Sequence, residues 1–344
     1  MVGLVCVGAV LVMAGGAGAD VFNMPAGETD LQFVVVDNLG NTDSNSSRGA
    51  VNYAYGISKF EITTAQYTQM LNATSATDTA NLYSTSMDIS VNSQGCGIVQ
   101  TGSSGSYTYS VDANRANRPV NYISWGRAAA FANWMTNGQP AGPQGPNTIA
   151  RGSYTLDGWW GLVPTTGNLV NGIVRTAPTP GVDYYYIPTQ DEWYKAAYHK
   201  NDGNTGNYWN YPTMSDTAPS GSGLNTGNNA NLPPAIGSPF YMTEVGNYSL
   251  SPGPYGTFDQ AGNIWEWTEL MPASPDGTRQ EIGGCWYTAS ALAGDDAVAW
   301  GDSSHPGGGW VVQGFRLTVI PEPATLLLVG LGGAGVILRR RRKR

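Results

Sequence analysis

Apolar residues fall in short bursts along this chain, with long polar stretches between them. Leu31 to Val36 is one such burst, closed by Asp37-Asn38, and its β-branched content predicts a strand. Tyr53 to Glu61 predicts a second strand, after which Thr63 or Thr64 opens a short helix reaching about Asn72. From Thr74 to Asn117 the sequence is rich in Ser, Thr, Gly and Asn, which predicts loop with weak strands. Ser124 is a good N-cap for a helix from about Trp125 to Met135, with Ala128, Phe131, Ala132 and Met135 on one face. A loop-rich stretch from Asn137 to Asp183 carries Trp159-Trp160. Thr189-Gln190-Asp191-Glu192 then forms a capping box, and the helix it opens runs to about Lys200 with Trp193, Ala196 and Ala197 inward. Asn201 to Pro239 is almost entirely Gly, Asn, Ser, Thr and Pro. Three short helices among scattered strands predict an α+β, loop-rich fold in a single domain.

The two ends differ from this middle. Val2 to Met13 is nearly all apolar and gives way to small residues from Ala14 to Ala19, so residues 1–19 read as a secretory signal peptide. At the other end, Pro321-Glu322-Pro323 precedes an apolar run from Ala324 to Leu338 and a basic block from Arg339 to Arg344. As a helix those 15 residues span roughly 22 Å, short of a hydrocarbon core of about 30 Å. The basic block holds its end at the cytoplasmic face. Motif, marginal membrane segment and basic end, in that order, resemble a PEP-CTERM sorting signal over residues 319–344. The resemblance implies export and transient membrane retention through residues 324–338. It also implies removal of the tail by an exosortase-type processing enzyme, with the cell surface or extracellular matrix as destination.

Charge narrows the function classes. Charged residues are 12% of the chain, against 46 Gly and a total of 30 Trp and Tyr. Without the terminal basic block, 11 basic residues face 25 acidic ones, a balance near −14 that argues against nucleic acid as a partner. Cys96 and Cys285 remain once Cys6 leaves with the signal, and in an oxidising compartment they can pair if the fold brings them together. No Cys/His metal spacing exists, and His199 and His305 are the only histidines, so structural zinc is not expected. Asp37, Asn41, Asp43 and Asn45 make an oxygen-rich loop, but without EF-hand spacing it reads as an ordinary polar loop.

Six segments recur in a familiar order. They are Ile57–Tyr67, Arg118–Trp125, Ile187–Trp193, Gly256–Trp267, Gly283-Gly-Cys-Trp286 and Gly314-Phe-Arg316. Together they resemble the formylglycine-generating enzyme (sulfatase-modifying factor) family across roughly residues 29–318, within a domain expected over residues 20–318. That family implies a complex α+β domain related to C-type lectins, poor in regular secondary structure. Its oxidase members bind copper with two cysteines, and the matching positions here are Thr288 and Ala293, so both thiols are missing. Cys285, three residues earlier, is a weak catalytic candidate with His305 or Cys96 as conceivable partners, and reads better as a buried apolar residue.

The family also binds calcium ahead of its Trp-Glu-Trp segment. The matching positions are Asp259 and Glu266 by side chain, and Gly262 and Ile264 by carbonyl, a hard-oxygen set suited to structural calcium. A second family site, near Asn225 and Thr226, lacks its downstream Asp, because Pro233-Pro234 stands there. Trp265 and Trp267 are expected in the core, and Arg316 in a buried ion pair or cation–π contact. The expected function is an exported, non-catalytic binding module for a glycan or surface protein. The alternative is a divergent copper oxidase using Cys285.

Overall fold

Each of the three helices begins at a side-chain cap written in the sequence. In this computed structural model, which describes residues 24–156, 173–223, 226–234, 236–271, 279–288 and 309–320, α1 spans Thr64–Thr74, α2 spans Trp125–Thr136 and α3 spans Gln190–Tyr198. Thr63 Oγ1 accepts from Gln66 N at 3.2 Å while Gln66 Oε1 accepts from Thr63 N at 3.0 Å, which satisfies two amides that helix geometry leaves open. Ser124 caps α2 through Arg127 N, and Thr189 with Glu192 closes the predicted box on α3. The third helix stops at Tyr198 rather than near Lys200, because His199 is already extended and forms a β-bridge with Tyr208.

Among the described residues the strands are short. They run β1 (Phe33–Val36), β2 (Tyr55–Ser58), β3 (Ile98–Thr101), β4 (Thr108–Val111), β5 (Tyr184–Tyr186), β6 (Trp265–Trp267), β7 (Glu281–Ile282), β8 (Gln313–Gly314) and β9 (Thr318–Ile320). β1, β2, β9 and β5 form one antiparallel sheet in that order. β3 and β4 make a separate hairpin inside the stretch expected to be loop with weak strands. β6 lies between β7 and β8, antiparallel to the first and parallel to the second. The strand expected over Tyr53 to Glu61 is realised only at β2, since the chain then turns into the cap of α1.

The main core fills the space between α1, α2 and the four-stranded sheet, with Tyr67, Phe131 and Phe315 at its centre. Tyr67 stacks on Phe131 at 6.0 Å, and Phe131 meets Phe315 edge-on at 5.4 Å. The expected apolar face of α2 is buried, and so is every other residue from Trp125 to Met135, with the polar Arg127 and Asn133 hydrogen-bonded to backbone carbonyls. Small satellite clusters sit under the loops, one of them formed by Trp265, Cys285 and Val312. Lys195 of α3 is fully buried, its Nζ donating to Asn38 O at 3.1 Å and Val51 O at 3.3 Å. Burial holds that ammonium down to about 8, with Asp37 opposing the shift.

The oxygen-rich loop after β1 is closed by its own contacts. Asn41 Nδ2 donates to Gly49 O and Tyr208 Oη, and Ala50 N donates to Asp43 Oδ1. No helix among the described residues is long and apolar enough to cross a membrane. Residues 1–19, Trp159-Trp160 and the tail with residues 324–338 lie outside the described residues.

Candidate functional site

The segment expected to bind calcium is a left-handed coil leading into β6. Asp259, Gly262 and Asn263 have φ of 62°, 79° and 61°. At Gly262 a Cβ would stand 2.5 Å from Asn231 O, so the positive φ and the close approach both demand glycine. Asn263 tolerates its conformation because its side chain is held by hydrogen bonds at both its oxygen and its nitrogen. Its Oδ1 accepts from Asn231 Nδ2 at 3.0 Å and Thr243 N at 2.9 Å, and its Nδ2 donates to Glu61 Oε1 at 3.0 Å.

This coil delivers Asp259 and Glu266 to a buried charge cluster. Arg316, fully buried, donates from Nε to Glu266 Oε2 at 2.5 Å and from Nη2 to Glu266 Oε1 at 2.7 Å. It also donates to Ser58 O at 3.0 Å and Phe258 O at 2.9 Å. Trp193 Nε1 adds a 2.7 Å hydrogen bond to Glu266 Oε2. The ion pair expected for Arg316 is therefore present, as a bidentate one. Burial works against its charge, and Glu266 overrides it, with Glu61 and Asp259 adding to the rise. Glu61 was not singled out from sequence, yet it belongs here: burial, then the Asp259 and Glu266 carboxylates, push it well above the usual range. Burial likewise pushes Asp259 up to about 6, against the hydrogen bond that its Oδ2 accepts from Gly246 N at 2.5 Å.

Three carboxylates thus face one guanidinium. Glu61 Oε2 is buried and accepts no hydrogen bond, and Glu266 Oε1, which receives Arg316 Nη2, still has a second lone pair. Carboxylate oxygens are the donor type a hard cation takes, but both Glu266 oxygens already accept hydrogen bonds from Arg316 and Trp193. Asp259 and Glu266 would hold calcium by carboxylate, with Gly262 and Ile264 by carbonyl. Among the described residues no three His, Cys, Asp or Glu side chains form a ready metal cage, so any ion here would lean on backbone and water. Thr226, from the second expected site, donates from N and Oγ1 to Asn229 Oδ1, while Asn225 lies outside the described residues.

Cys285 sits in a tight turn after β7. Its Sγ is 3.3 Å from Thr288 Oγ1, and that hydroxyl accepts from Cys285 N at 3.0 Å. Both Cys285 and Cys96 are buried and unpaired. They belong to different hydrophobic clusters, Cys96 in the main core and Cys285 against Trp265 and Val312. Burial raises both thiols, that of Cys96 to about 11, so neither offers a thiolate near neutral pH. Ala293 and His305 lie outside the described residues. His199 is buried against Tyr255 Oη at 2.7 Å.

Beside this turn the surface is aromatic. Tyr241 and Trp286 are 5.0 Å apart between centroids, and Trp286 meets Tyr287 edge-on at 4.9 Å. Tyr287 and Trp310 are 55% and 54% exposed, and Val311, next to Trp310, packs in the same cluster as Trp286. Sequence reading left these rings unassigned, although the Cys-Trp-Tyr run was the available signal. A second buried network was also missed. Arg175 binds Glu192 through Nη1 at 2.8 Å and Nη2 at 2.6 Å, and its Nε stands 2.8 Å from Glu269. Tyr53 donates to Glu192 as well, so this capping residue also anchors an ion network.

The chain is similar in structure to Treponema denticola variable protein 1, at 17% identity and a TM-score of 0.49, covering 87% of this chain and 98% of that one. It is also similar to CarF (21%, TM-score 0.47, 85% and 99% covered) and to PvdO from Pseudomonas aeruginosa (14%, 0.41, 85% and 95%). No curated protein matches the sequence. A PEP-CTERM protein-sorting motif matches residues 319–343, which marks the chain for export and for exosortase-type processing at the membrane. A family model described as sulfatase-modifying factor enzyme 1-like domain matches residues 17–319, and the chain belongs to that family.

Proposed function

We propose that this protein is an exported, non-catalytic binding module braced by calcium, which recognises a neutral glycan on its aromatic face. The observation that carries the reading is the turn from Gly283 to Thr288. At the position where the oxidases of the family keep a thiol, Thr288 spends its hydroxyl on the Cys285 amide, and exposed Tyr287 stands beside it. Rings with polar tips and few charges around them suit sugar faces, whose C–H groups stack on aromatics while hydroxyls find amides. Calcium at Asp259 and Glu266 would stiffen the coil under this face, in a fold with little regular scaffold.

The test combines metal and thiol analysis of the secreted domain with binding to a panel of neutral and acidic polysaccharides. We expect about one calcium per chain, no stoichiometric copper, and binding weakened at least ~10-fold by Tyr287→Ala with Trp310→Ala, about 1.4 kcal/mol. Stoichiometric copper lost on Cys285→Ser would instead support the oxidase. Retention of a surface protein but no polysaccharide would move the ligand class to protein.

A further inference from the structure

The sorting motif begins where the fold ends, with no spacer between them. β9 is an interior strand, paired with β2 through Gly56↔Val319 and Ile57↔Thr318. On its other side it pairs with β5 through Tyr184↔Ile320, Tyr185↔Val319 and Tyr186↔Thr318. Ile320 is therefore held in a ladder, and the next residue is Pro321 of the Pro-Glu-Pro motif. The residues before β9 are fixed as firmly. Ser58 N donates to Leu317 O at 2.7 Å, Leu317 N donates to Ser58 Oγ at 3.1 Å, and Arg316 is locked on Glu266.

Reach sharpens the point. From Ile320 to Ala324, where the apolar run starts, four residue steps span at most about 14 Å of extended chain. The headgroup layer takes roughly 6 Å of that. The folded domain would sit within about a side chain's length of the lipid surface. An extended peptide adds to a partner through its own main-chain hydrogen bonds, and residues already paired on both sides within a sheet have none left to offer. Here the upstream side has none free.

Resting on the sorting-signal match, we infer that the folded domain shields its own sorting motif. The processing enzyme engages Pro321-Glu322-Pro323 only while β9 is unpaired from β2 and β5, so tail removal competes with completion of the fold. Processing then falls in the interval after export and before β9 docks, and a chain that folds first keeps its tail.

The test is a pulse–chase of the full chain in an exosortase-bearing bacterium, following loss of the tail by mass. The wild type is compared with a variant carrying eight Gly/Ser residues inserted between Ile320 and Pro321, which leaves every described contact intact. Chain that has already folded should lose its tail at least ten-fold faster in the insertion variant, while wild-type processing is confined to newly exported chain. Equal rates for folded wild type and variant would overturn the shielding. Retention of the tail in both, throughout the chase, would overturn the sorting-signal reading itself.

Discussion

Replacing Arg316 by Met isolates the charge cluster that ties the two ends of the domain together. The guanidinium makes two hydrogen bonds to the Glu266 carboxylate, at 2.5 and 2.7 Å, and two to the carbonyls of Ser58 and Phe258. Methionine fills much of the volume but leaves Glu266 buried without its counter-charge, close to Glu61 and Asp259. Removing one partner of a buried pair costs about 3–5 kcal/mol, mostly through the stranded charge. Two lost carbonyl contacts add to that, and the apolar contacts of Met offset them, so about 4 kcal/mol is expected. That is a large share of the typical stability of a domain, about 5–15 kcal/mol. Urea unfolding of the secreted domain, followed by Trp fluorescence in the presence of chelator, measures the loss without calcium linkage. Adding Glu266→Gln to Arg316→Met removes the stranded charge and should recover about 2 kcal/mol. A single-variant loss under about 1 kcal/mol, or a double variant no better than the single, would refute this account.

Two more measurements probe groups away from that cluster. Lys195 is depressed from 10.5 to about 8, so the folded state favours the neutral amine, and its contribution is full above pH 10.5 and lost as pH falls through 8. Lys195→Met should therefore be more stable than wild type by about 1–2 kcal/mol at pH 7, net of two stranded carbonyls, with the advantage shrinking toward pH 10 in chemical denaturation. A pH-independent difference would show that the ammonium is not the cause. Cys285→Ser exchanges a buried thiol against Trp265 and Val312 for a hydroxyl within reach of Thr288, and should cost about 1 kcal/mol with metal content unchanged.

The helices were legible in the sequence because their signals are local. Thr63 with Gln66, Ser124, and Thr189 with Glu192 each announce a start within four residues, and each cap is present. The sheet was less legible. β9 pairs with β2 across most of the chain, and a strand of three residues carries too little pattern to declare its neighbours. The same distance hid part of the site. Asp259 and Glu266 could be named from their motif, but Glu61 meets them only across the fold, where Asn263 of their coil donates to its carboxylate. Arg175 was invisible as a network member, since it sits in a loop with no local pattern and one of its partners, Glu269, lies far along the chain.

The interior position of β9 also fixes how the domain would bear mechanical load. Tension applied through the C-terminal end enters at Ile320 and runs along β9, which is gripped by a ladder on each side. Pulled along the strand, those hydrogen bonds are sheared together rather than opened one by one, and the Arg316–Glu266 pair lies directly behind them. A protein tethered by that end would meet drag with its most resistant geometry.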